Sequence, residues 1–492
     1  MTVSEAQDVA RPARTVAMPR LLVAHWQFAV LLLLGTALRG AVLAAYHPVL
    51  IFPDSVRYIQ FAHNFMHGHW AVDGERQSGY SILILPAVAL HWLVAIPLIQ
   101  HLAGLAIAVL IYAFLVRYGA RTWLAALATI PVLFDPLQLI LEEYVLADIW
   151  TVLLLLVALV VLAWPADAPT WKRAAVAGLL LGISVTFRDQ YLIMIVPAAL
   201  HLALVAREHR VRVLTALVGA FVLPVAGYLG WFYGSHGKVS FTTFGGTFLY
   251  GRVVDFADCS GLTLPKDERP LCPAQPPSER DADYYIWNPA SPMWTLTPPA
   301  GTSRQSVARD FGMRILEHQP LDYGNAVMKD LLYDFSPVRG AGPERSPSDY
   351  LRFQTNIKPD RAADASLAAL GIGPPASRPG LAGFLHGYWF YVPGPLLAAG
   401  LLPGIAGSVC NRRTLLFALS AVLVLIPPAL FTIFDWRYQL PQLTLIPIAA
   451  VLGGLEAGRA RRGTSPASSD PASVRAGRCR ISGLRPARWA WW

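Results

Sequence analysis

Long apolar runs, separated by short polar loops, occupy most of this chain and limit what it can fold into. Runs such as 21–46 and 213–233 are long enough to cross a hydrocarbon core of ~30 Å, which takes about 20 residues of helix. Of the 492 residues, 55% are hydrophobic and 14% are charged, whereas soluble proteins average roughly 25% charged residues. The sequence therefore predicts an all-α membrane protein with many spans.

The formal net charge of +9 is unevenly distributed along the chain. Arginines concentrate in the N-terminal tail, in short loops and in the C-terminal tail, a distribution typical of the cytoplasmic side of a membrane protein. No folded domain carries these basic residues, so the composition excludes nucleic acid as a partner and predicts surrounding membrane lipids. Both termini are accordingly expected in the cytoplasm.

Apolar runs and charge placement together predict ten spans, at 21–46, 99–115, 123–134, 149–164, 174–187, 191–206, 213–233, 384–405, 415–434 and 440–455. The chain then divides into a cytoplasmic tail (1–20), an N-terminal transmembrane catalytic module (21–234) with a first polar loop at 47–80, an extracytoplasmic polar segment (235–383), C-terminal transmembrane helices (384–456) and a basic cytoplasmic tail (457–492). Residues 81–97 are interrupted by His91 and Trp92, so they either lie on the surface or span the membrane, and the exact number of spans stays open.

The polar segment is rich in Pro, Gly and Asp, yet parts of it have a regular pattern. Apolar residues recur at helical spacing in 303–318 and in 321–335, which predicts two amphipathic helices over the membrane surface. The aromatic-rich stretch 284–294 is expected to pack against them. Cys259 and Cys272 form a disulfide if this segment faces an oxidising compartment, and otherwise remain free thiols.

The first polar loop contains the most informative stretch, from Phe52 to Tyr80. Asp54 stands in a Pro-Asp-Ser turn, and apolar residues follow it at helical spacing, which predicts a short helix lying flat on the membrane. Asp54 has two interpretations. It is either a catalytic carboxylate just above the bilayer or the cap of the helix that begins near Ser55.

Charged residues from loops far apart in sequence are all predicted at the extracytoplasmic ends of the spans. They are Asp54, Asp135, Glu142, Glu143, Asp148, Arg188, Asp189, Asp435 and Arg437. Carboxylates can take a proton from a hydroxyl or bind a divalent metal, and arginines bind phosphate and stabilise it as a leaving group. Taken singly, each also has a structural explanation, such as a local ion pair or a favourable charge at a helix start. Arg39, near the outer end of the first span, either snorkels to the interface or serves as a charge partner for the site.

Six stretches resemble, in their order and placement, the GT-C glycosyltransferase superfamily, which includes protein O-mannosyltransferases, the aminoarabinose transferases of lipid A and arabinofuranosyltransferases. In chain order they read PDSVRYIQFA, RQSGY, EEYVLAD, GLLLGISVTFRDQY, HQPLDYGNAV and RYQLPQLTLIPIAA. The resemblance runs from the first span to about Leu455. In the second stretch Ser78 stands where the family has proline.

The resemblance implies a GT-C-like helical bundle and transfer of a hexose or pentose from a polyprenyl-phosphate donor. The acceptor would be an extracytoplasmic cell-envelope glycan, lipid or protein, and the sugar carbon would be inverted. Asp54 would be the general base, and Asp148, with Glu142 or Glu143, would complete the acidic site. No metal is expected to be obligatory, although a divalent metal is possible.

The same resemblance assigns the remaining site residues. Arg188 and Arg437, with the adjoining Tyr438, would contact the donor phosphate, and Arg76 and Tyr80 would position the first polar loop. The alternative to an enzyme is a polytopic transporter or lipid flippase. Transporters commonly show repeated halves and place their sites near the bilayer midplane, whereas this sequence shows no such repeat and gathers its unusual charges at one surface. A membrane scaffold with an extracytoplasmic binding region is a third possibility.

Overall fold

The computed structural model describes residues 24–164, 169–206, 209–340, 352–357 and 361–462. The predicted tail at 1–20 lies outside the described residues, and only 457–462 of the predicted C-terminal tail lies within them. The described chain is almost entirely α-helical, as the apolar runs predict.

The N-terminal half contains eleven helices among the described residues, several of them short. They are α1 (Trp26–Ala45), α2 (Pro53–Met66), α3 (Gly79–Ala89), α4 (Ala95–Arg117), α5 (Thr122–Leu127), α6 (Ile130–Phe134), α7 (Pro136–Glu143), α8 (Asp148–Ala163), α9 (Trp171–Phe187), α10 (Ile195–Val205) and α11 (Arg210–His236). A 3₁₀ turn at Asp189–Met194 joins α9 to α10.

The C-terminal half continues with α12 (Gly245–Val254), α13 (Ala282–Trp287), α14 (Pro292–Thr295), α15 (Arg304–His318), α16 (Pro320–Tyr333), α17 (Arg361–Ala369), α18 (Pro379–Gly387), α19 (Gly394–Ser408), α20 (Arg412–Leu423), α21 (Ile426–Phe431) and α22 (Leu440–Arg461). Two short strands, β1 (Tyr46–His47) and β2 (Ala376–Ser377), pair antiparallel. This pair fastens the end of α1 to the polar segment.

Five stretches of helix in the described chain are long and apolar enough to cross a membrane. They are Trp26–Ala45, Ala95–Arg117, Arg210–His236, Arg412–Phe431 and Trp436–Arg461. Four shorter apolar stretches accompany them, at Gly79–Ala89, Asp148–Ala163, Asp189–Val205 and Gly394–Ser408. The chain is thus a polytopic helical membrane protein. Helix α3, with 11 residues, is too short to span alone.

Several predicted spans are interrupted in the structure, including the one at 415–434, which consists of α20 and α21. The single span expected at 384–405 consists of α18 and α19, because Pro393 favours an extended residue before it and Val392 donates its N–H to the Asp135 carboxylate instead of to a helix. The span expected at 123–134 is divided into α5 and α6, with Pro131 in the first turn of α6. Proline cannot donate to the preceding turn, so the helix restarts there.

Helices α9 and α11 cross at very short range, and this contact sets the position of α9 against α11. A Cβ added to Gly178 would lie 2.1 Å from the carbonyl oxygen of Leu217, and one added to Gly182 would lie 2.4 Å from that of Phe221. Glycines four residues apart let two helix backbones touch, a common device in membrane bundles. The C-terminal half of α9 is therefore packed tightly against α11. Arg188 follows directly after this half of the helix.

The polar segment has a hydrophobic core of its own. Residues of α12, α13 and α15 meet in it, including Tyr250, Tyr285 and Phe311. The disulfide Cys259–Cys272 closes a loop beside this core. The structure contains both predicted amphipathic helices, as α15 and α16, and it packs the aromatic stretch 284–294 against α15.

Candidate active site

Asp54 is the second residue of α2, but it does not act as the cap of that helix. Ser55 closes the first turn, since its Oγ accepts the N–H of Phe52 and donates to the carbonyl of Val145. The carboxylate of Asp54 is only 4% exposed and accepts from two arginines. Arg76 Nη2 lies 2.8 Å from Oδ1, and Arg437 Nη1 lies 2.9 Å from Oδ2. The residue is thus a buried carboxylate held by ion pairs.

Four separate parts of the chain meet around Asp54. Arg76 comes from the first polar loop just before α3, and Arg188 is the residue after α9. Arg437 lies in a 3₁₀ turn, Trp436–Gln439, that leads into α22. Asp148, the first residue of α8, pairs with Arg188 at 2.8 Å, and Arg188 lies 4.0 Å from Asp54 Oδ2. From the charged residues that the sequence placed at one end of the spans, the structure therefore brings together Asp54, Asp148, Arg188 and Arg437.

The arginines control the charge of Asp54. Burial by itself raises the pKa of this carboxyl group, but the positive charges of Arg76, Arg437 and Arg188 more than offset burial and hold the pKa well below its usual range. Asp54 is therefore ionised at any physiological pH. Arg437 is itself held by a second acid, because its Nε lies 2.7 Å from Asp435 Oδ2.

The two oxygens of Asp54 face different groups. In the described ion pairs, Oδ2 is next to Arg437 and Arg188, whereas Oδ1 is next to Arg76. Each carboxylate oxygen has two lone pairs, so each can accept another hydrogen bond. The carboxylate thus separates a side with two arginines from a side with one.

The polar segment covers the side that has one arginine. The guanidinium of Arg76 lies 5.3 Å from the ring of Trp287 and 5.8 Å from that of Phe248. The segment is anchored close by, because Thr243 N–H and Thr242 Oγ1 both donate to the carbonyl of Gly74. Sequence reasoning singled out neither aromatic residue, although Trp287 belongs to the aromatic-rich stretch noted there.

Tyr438 and Tyr80 lie beside the cluster without touching Asp54 through a described hydrogen bond. The ring of Tyr438 is 5.9 Å from the guanidinium of Arg437. Tyr80 is buried, contacts Tyr58 edge-on, and donates its hydroxyl to Gln100 Oε1 at 2.7 Å. Tyr80 therefore packs behind the cluster, between Tyr58 and Gln100, and does not contact Asp54 in the described interactions.

Glu142 and Glu143 are not part of the Asp54 cluster. Both are fully buried at the end of α7, where His101 of α4 bridges them through Nδ1 at 2.6 Å and Nε2 at 3.0 Å. Arg39 of α1 donates to Glu142 at 2.7 Å and to the carbonyls of α6. Arg39 is thus the internal partner of Glu142; it neither snorkels nor pairs with the Asp54 cluster in the described contacts. This cluster joins α1, α4 and α7.

The described residues contain no group of three or more His, Cys, Asp or Glu side chains placed to hold a metal ion. What the Asp54 cluster offers instead is fixed positive charge. Two arginines beside one carboxylate, out of bulk water, suit the binding of an anionic group next to a proton acceptor.

A model of the dolichyl-phosphate-mannose-protein mannosyltransferase family matches residues 61–187. This stretch is about a quarter of the chain. It includes Arg76 and Asp148, begins after Asp54, and ends one residue before Arg188. No curated protein matches the chain.

Several solved structures share weak overall similarity. The protein O-mannosyltransferase Pmt1-Pmt2 complex of S. cerevisiae, bound to its sugar donor, has a TM-score of 0.34 and 16% identity, and the alignment covers 52% of this chain and 38% of that one. ArnT from Cupriavidus metallidurans, bound to undecaprenyl phosphate, has a TM-score of 0.37 and 14% identity over 91% of this chain and 79% of that one.

The archaeal oligosaccharyltransferase AglB from Archaeoglobus fulgidus, in complex with an inhibitory peptide and a dolichol phosphate, has a TM-score of 0.39 and 12% identity, with coverage of 91% and 53%. Scores and identities this low carry no inference about activity. The resemblance to GT-C glycosyltransferases is confirmed, on the sequence side, by the match of residues 61–187 to the mannosyltransferase family.

Proposed function

We propose that this protein is a membrane glycosyltransferase that moves a sugar from a polyprenyl-phosphate donor to a hydroxyl group of an extracytoplasmic acceptor. The observation that supports this most directly is the buried carboxylate of Asp54 between arginines from distant parts of the chain. One such site can bind a phosphate and accept a proton, which are the two requirements of the reaction.

The donor phosphate would bind on the Oδ2 side of Asp54. Arg437 and Arg188 both lie there, and guanidinium groups form paired hydrogen bonds with phosphate oxygens. As the sugar departs, the phosphate gains negative charge, and fixed arginines in a water-poor site stabilise that charge. Asp148 holds Arg188 in place, so we assign it a positioning role.

Asp54 would be the general base. The acceptor oxygen attacks the anomeric carbon as its proton passes to Asp54, the bond from that carbon to the phosphate oxygen breaks, and the polyprenyl phosphate leaves with the electron pair. Attack from the face opposite the phosphate inverts the anomeric carbon. A phosphate that takes over Arg437 would also release Asp54 from an ion pair and raise its pKa, so the base would become effective only with donor in place.

The surroundings follow from the same proposal. The donor lies in the membrane with its phosphate at the extracytoplasmic surface, both termini lie in the cytoplasm, and the acceptor belongs to the cell envelope. We propose that no metal is obligatory, since arginines supply the positive charge that the leaving group needs, although a divalent metal could assist.

The first test is release of free polyprenyl phosphate from a panel of polyprenyl-phosphate hexoses and pentoses, with and without divalent metal. We expect Asp54→Asn to lower the turnover rate by ~10²–10⁴-fold, the loss typical of a missing general base. Asp310→Asn is the matched control, because Asp310 is an exposed carboxylate on α15 whose ion pair among the described residues is with Arg309, outside the Asp54 cluster.

Equal activity of Asp54→Asn and wild type, at equal melting temperature, would contradict the role of Asp54. Should wild type release no carrier from any donor but bind polyprenyl phosphate and move it between leaflets of a vesicle, the protein is a flippase.

A further inference from the structure

Helix α13 places an acid and a tryptophan on one face, beside Arg76 of the Asp54 cluster. Asp283 and Trp287 are four residues apart, so their side chains are neighbours on the helix surface. Asp281 caps the helix by accepting the N–H groups of Asp283 and Tyr284, which fixes its start. The two side chains thus have a defined place relative to each other.

Trp287 is connected to the reacting carboxylate through one side chain. Its ring lies 5.3 Å from the guanidinium of Arg76, and Arg76 donates to Asp54 Oδ1. Phe248 of α12 packs edge-on against the Trp287 ring, with the ring centroids 6.0 Å apart, and this contact orients the Trp287 ring. Even so, Trp287 is 38% exposed, an unusually high fraction for a large aromatic residue beside a buried ion-pair cluster. Part of its surface is available to a ligand.

Asp283 lies one helical turn before Trp287 on the same helix. Burial and the charges of Asp281 and Asp435 together raise the pKa of its carboxyl group to about 6, against the opposing charge of Arg437. The acid and the aromatic ring therefore lie side by side on α13, next to Arg76 of the Asp54 cluster.

The side of the cluster decides which substrate this pair would meet. Under the proposed function, the donor phosphate binds at Arg437 and Arg188, next to Oδ2. Trp287 reaches the cluster through Arg76, next to Oδ1. An acceptor hydroxyl must approach Asp54 from the side away from the phosphate, so Trp287 lies on the acceptor side.

We propose that Trp287 and Asp283 form a subsite for a sugar ring, and that the acceptor is a carbohydrate. One face of a sugar ring carries C–H groups that pack on an aromatic ring, while its hydroxyls donate to a carboxylate. A ligand site of this kind combines aromatic surface with a few fixed polar groups. The subsite rests on the proposed function only for its assignment to the acceptor.

A purely structural role makes a different prediction. If Trp287 served only to hold Arg76, its loss would weaken the Asp54 site without affecting sugar binding. Binding of a simple sugar in the absence of any donor therefore separates the two roles.

The experiment is saturation-transfer NMR with methyl glycosides of glucose, galactose, mannose, N-acetylglucosamine and arabinofuranose. The protein is held in lipid nanodiscs, because maltoside detergents are themselves glycosides. We expect one glycoside to receive saturation mainly on its C–H face, with the signal retained in Trp287→Phe, lost in Trp287→Ala and at least ten-fold weaker in affinity in Asp283→Asn. Trp389→Ala is the matched control, since Trp389 is also a half-exposed tryptophan but lies after α18.

Binding that is unchanged in Trp287→Ala would overturn the subsite. So would the absence of binding by every glycoside when a Ser/Thr peptide or a lipid alcohol accelerates release of the carrier. If glycosides bind at Trp287 while no donor is turned over, the subsite stands and the proposed transfer reaction fails.

Discussion

Under the proposed function Asp54 would be an unusual base, because three arginines keep its carboxylate ionised and weakly basic in the donor-free protein. In that state Asp54 keeps its charge between pH 5 and 7. A pH dependence of sugar binding measured without donor must therefore come from another group.

We expect that group to be Asp283. The pKa of its carboxyl group is raised to about 6, so the carboxylate protonates as the pH falls through 6 and ceases to be a pure acceptor for sugar hydroxyls. The affinity for the glycoside, measured without donor, should fall below about pH 6 in wild type, and this fall should disappear in Asp283→Asn. The measurement is saturation-transfer NMR of that glycoside across the pH range. A fall that persists in Asp283→Asn points to another carboxyl, such as Asp330, whose pKa burial also raises to about 6.

Arg39 allows the second buried cluster to be tested separately. Arg39→Met removes the arginine partner of the fully buried Glu142 and leaves only His101, and breaking a buried ion pair costs about 3–5 kcal/mol of stability. We expect a markedly lower melting temperature but little change in KM for the donor, because Arg39 does not contact the Asp54 cluster in any described interaction. A rise in donor KM at unchanged stability would instead place this cluster in the site.

Sequence reasoning selected Asp54, Arg188 and Arg437 as candidate site residues because ionisable groups are easily recognised at the ends of apolar runs. It wrongly grouped Glu142 and Glu143 with Asp54. A short buried helix has the same local sequence pattern as a polar loop, and the partner of Glu142, His101, is 41 residues away within a span. It passed over Asp283 and Trp287 because the polar segment has no apolar runs against which an unusual residue could be recognised.

At the scale of helices, a close glycine contact positions the helix that precedes Arg188. Helix α9 carries Arg188 at its end, and its approach to α11 depends on Gly178 and Gly182. This arrangement predicts that bulk at the contact will displace Arg188 from Asp148.

We expect Gly182→Leu to destabilise the protein by about 1–3 kcal/mol or more, the usual effect of overfilling a packed contact, and to lower donor affinity as well. Gly227→Leu is the control, because Gly227 is on α11 with nothing within 4 Å of an added Cβ. Thermal unfolding and polyprenyl phosphate binding measure the two effects. Equal behaviour of the two variants would mean that the α9–α11 contact does not position the site.

Helix boundaries were less predictable than the existence of helices. The first span and the two amphipathic helices of the polar segment are where their patterns predict them. The break between α18 and α19 depends on a distant partner, since Asp135 holds both Val392 and Arg339. A local pattern contains no information about such a contact.

For the whole molecule, the proposal fixes which ends of the spans face outwards, and native lysines can report this. Lys266 of the polar segment and Lys172 at the start of α9 are both exposed. A membrane-impermeant amine reagent applied to intact cells should modify Lys266 and leave Lys172 unmodified, with both modified after lysis, as read by peptide mass spectrometry. The reverse pattern would place the Asp54 cluster in the cytoplasm.

The presence of both Arg188 and Arg437 beside Asp54 Oδ2 would also affect release of the product phosphate. A sugar-linked phosphodiester carries one negative charge, whereas the free phosphate monoester left behind carries nearly two at neutral pH. Two buried guanidinium groups would hold the spent carrier more tightly than the incoming donor. Under the proposed function, departure of the carrier would then limit the rate of turnover, and accumulation of free carrier in the membrane would slow sugar transfer.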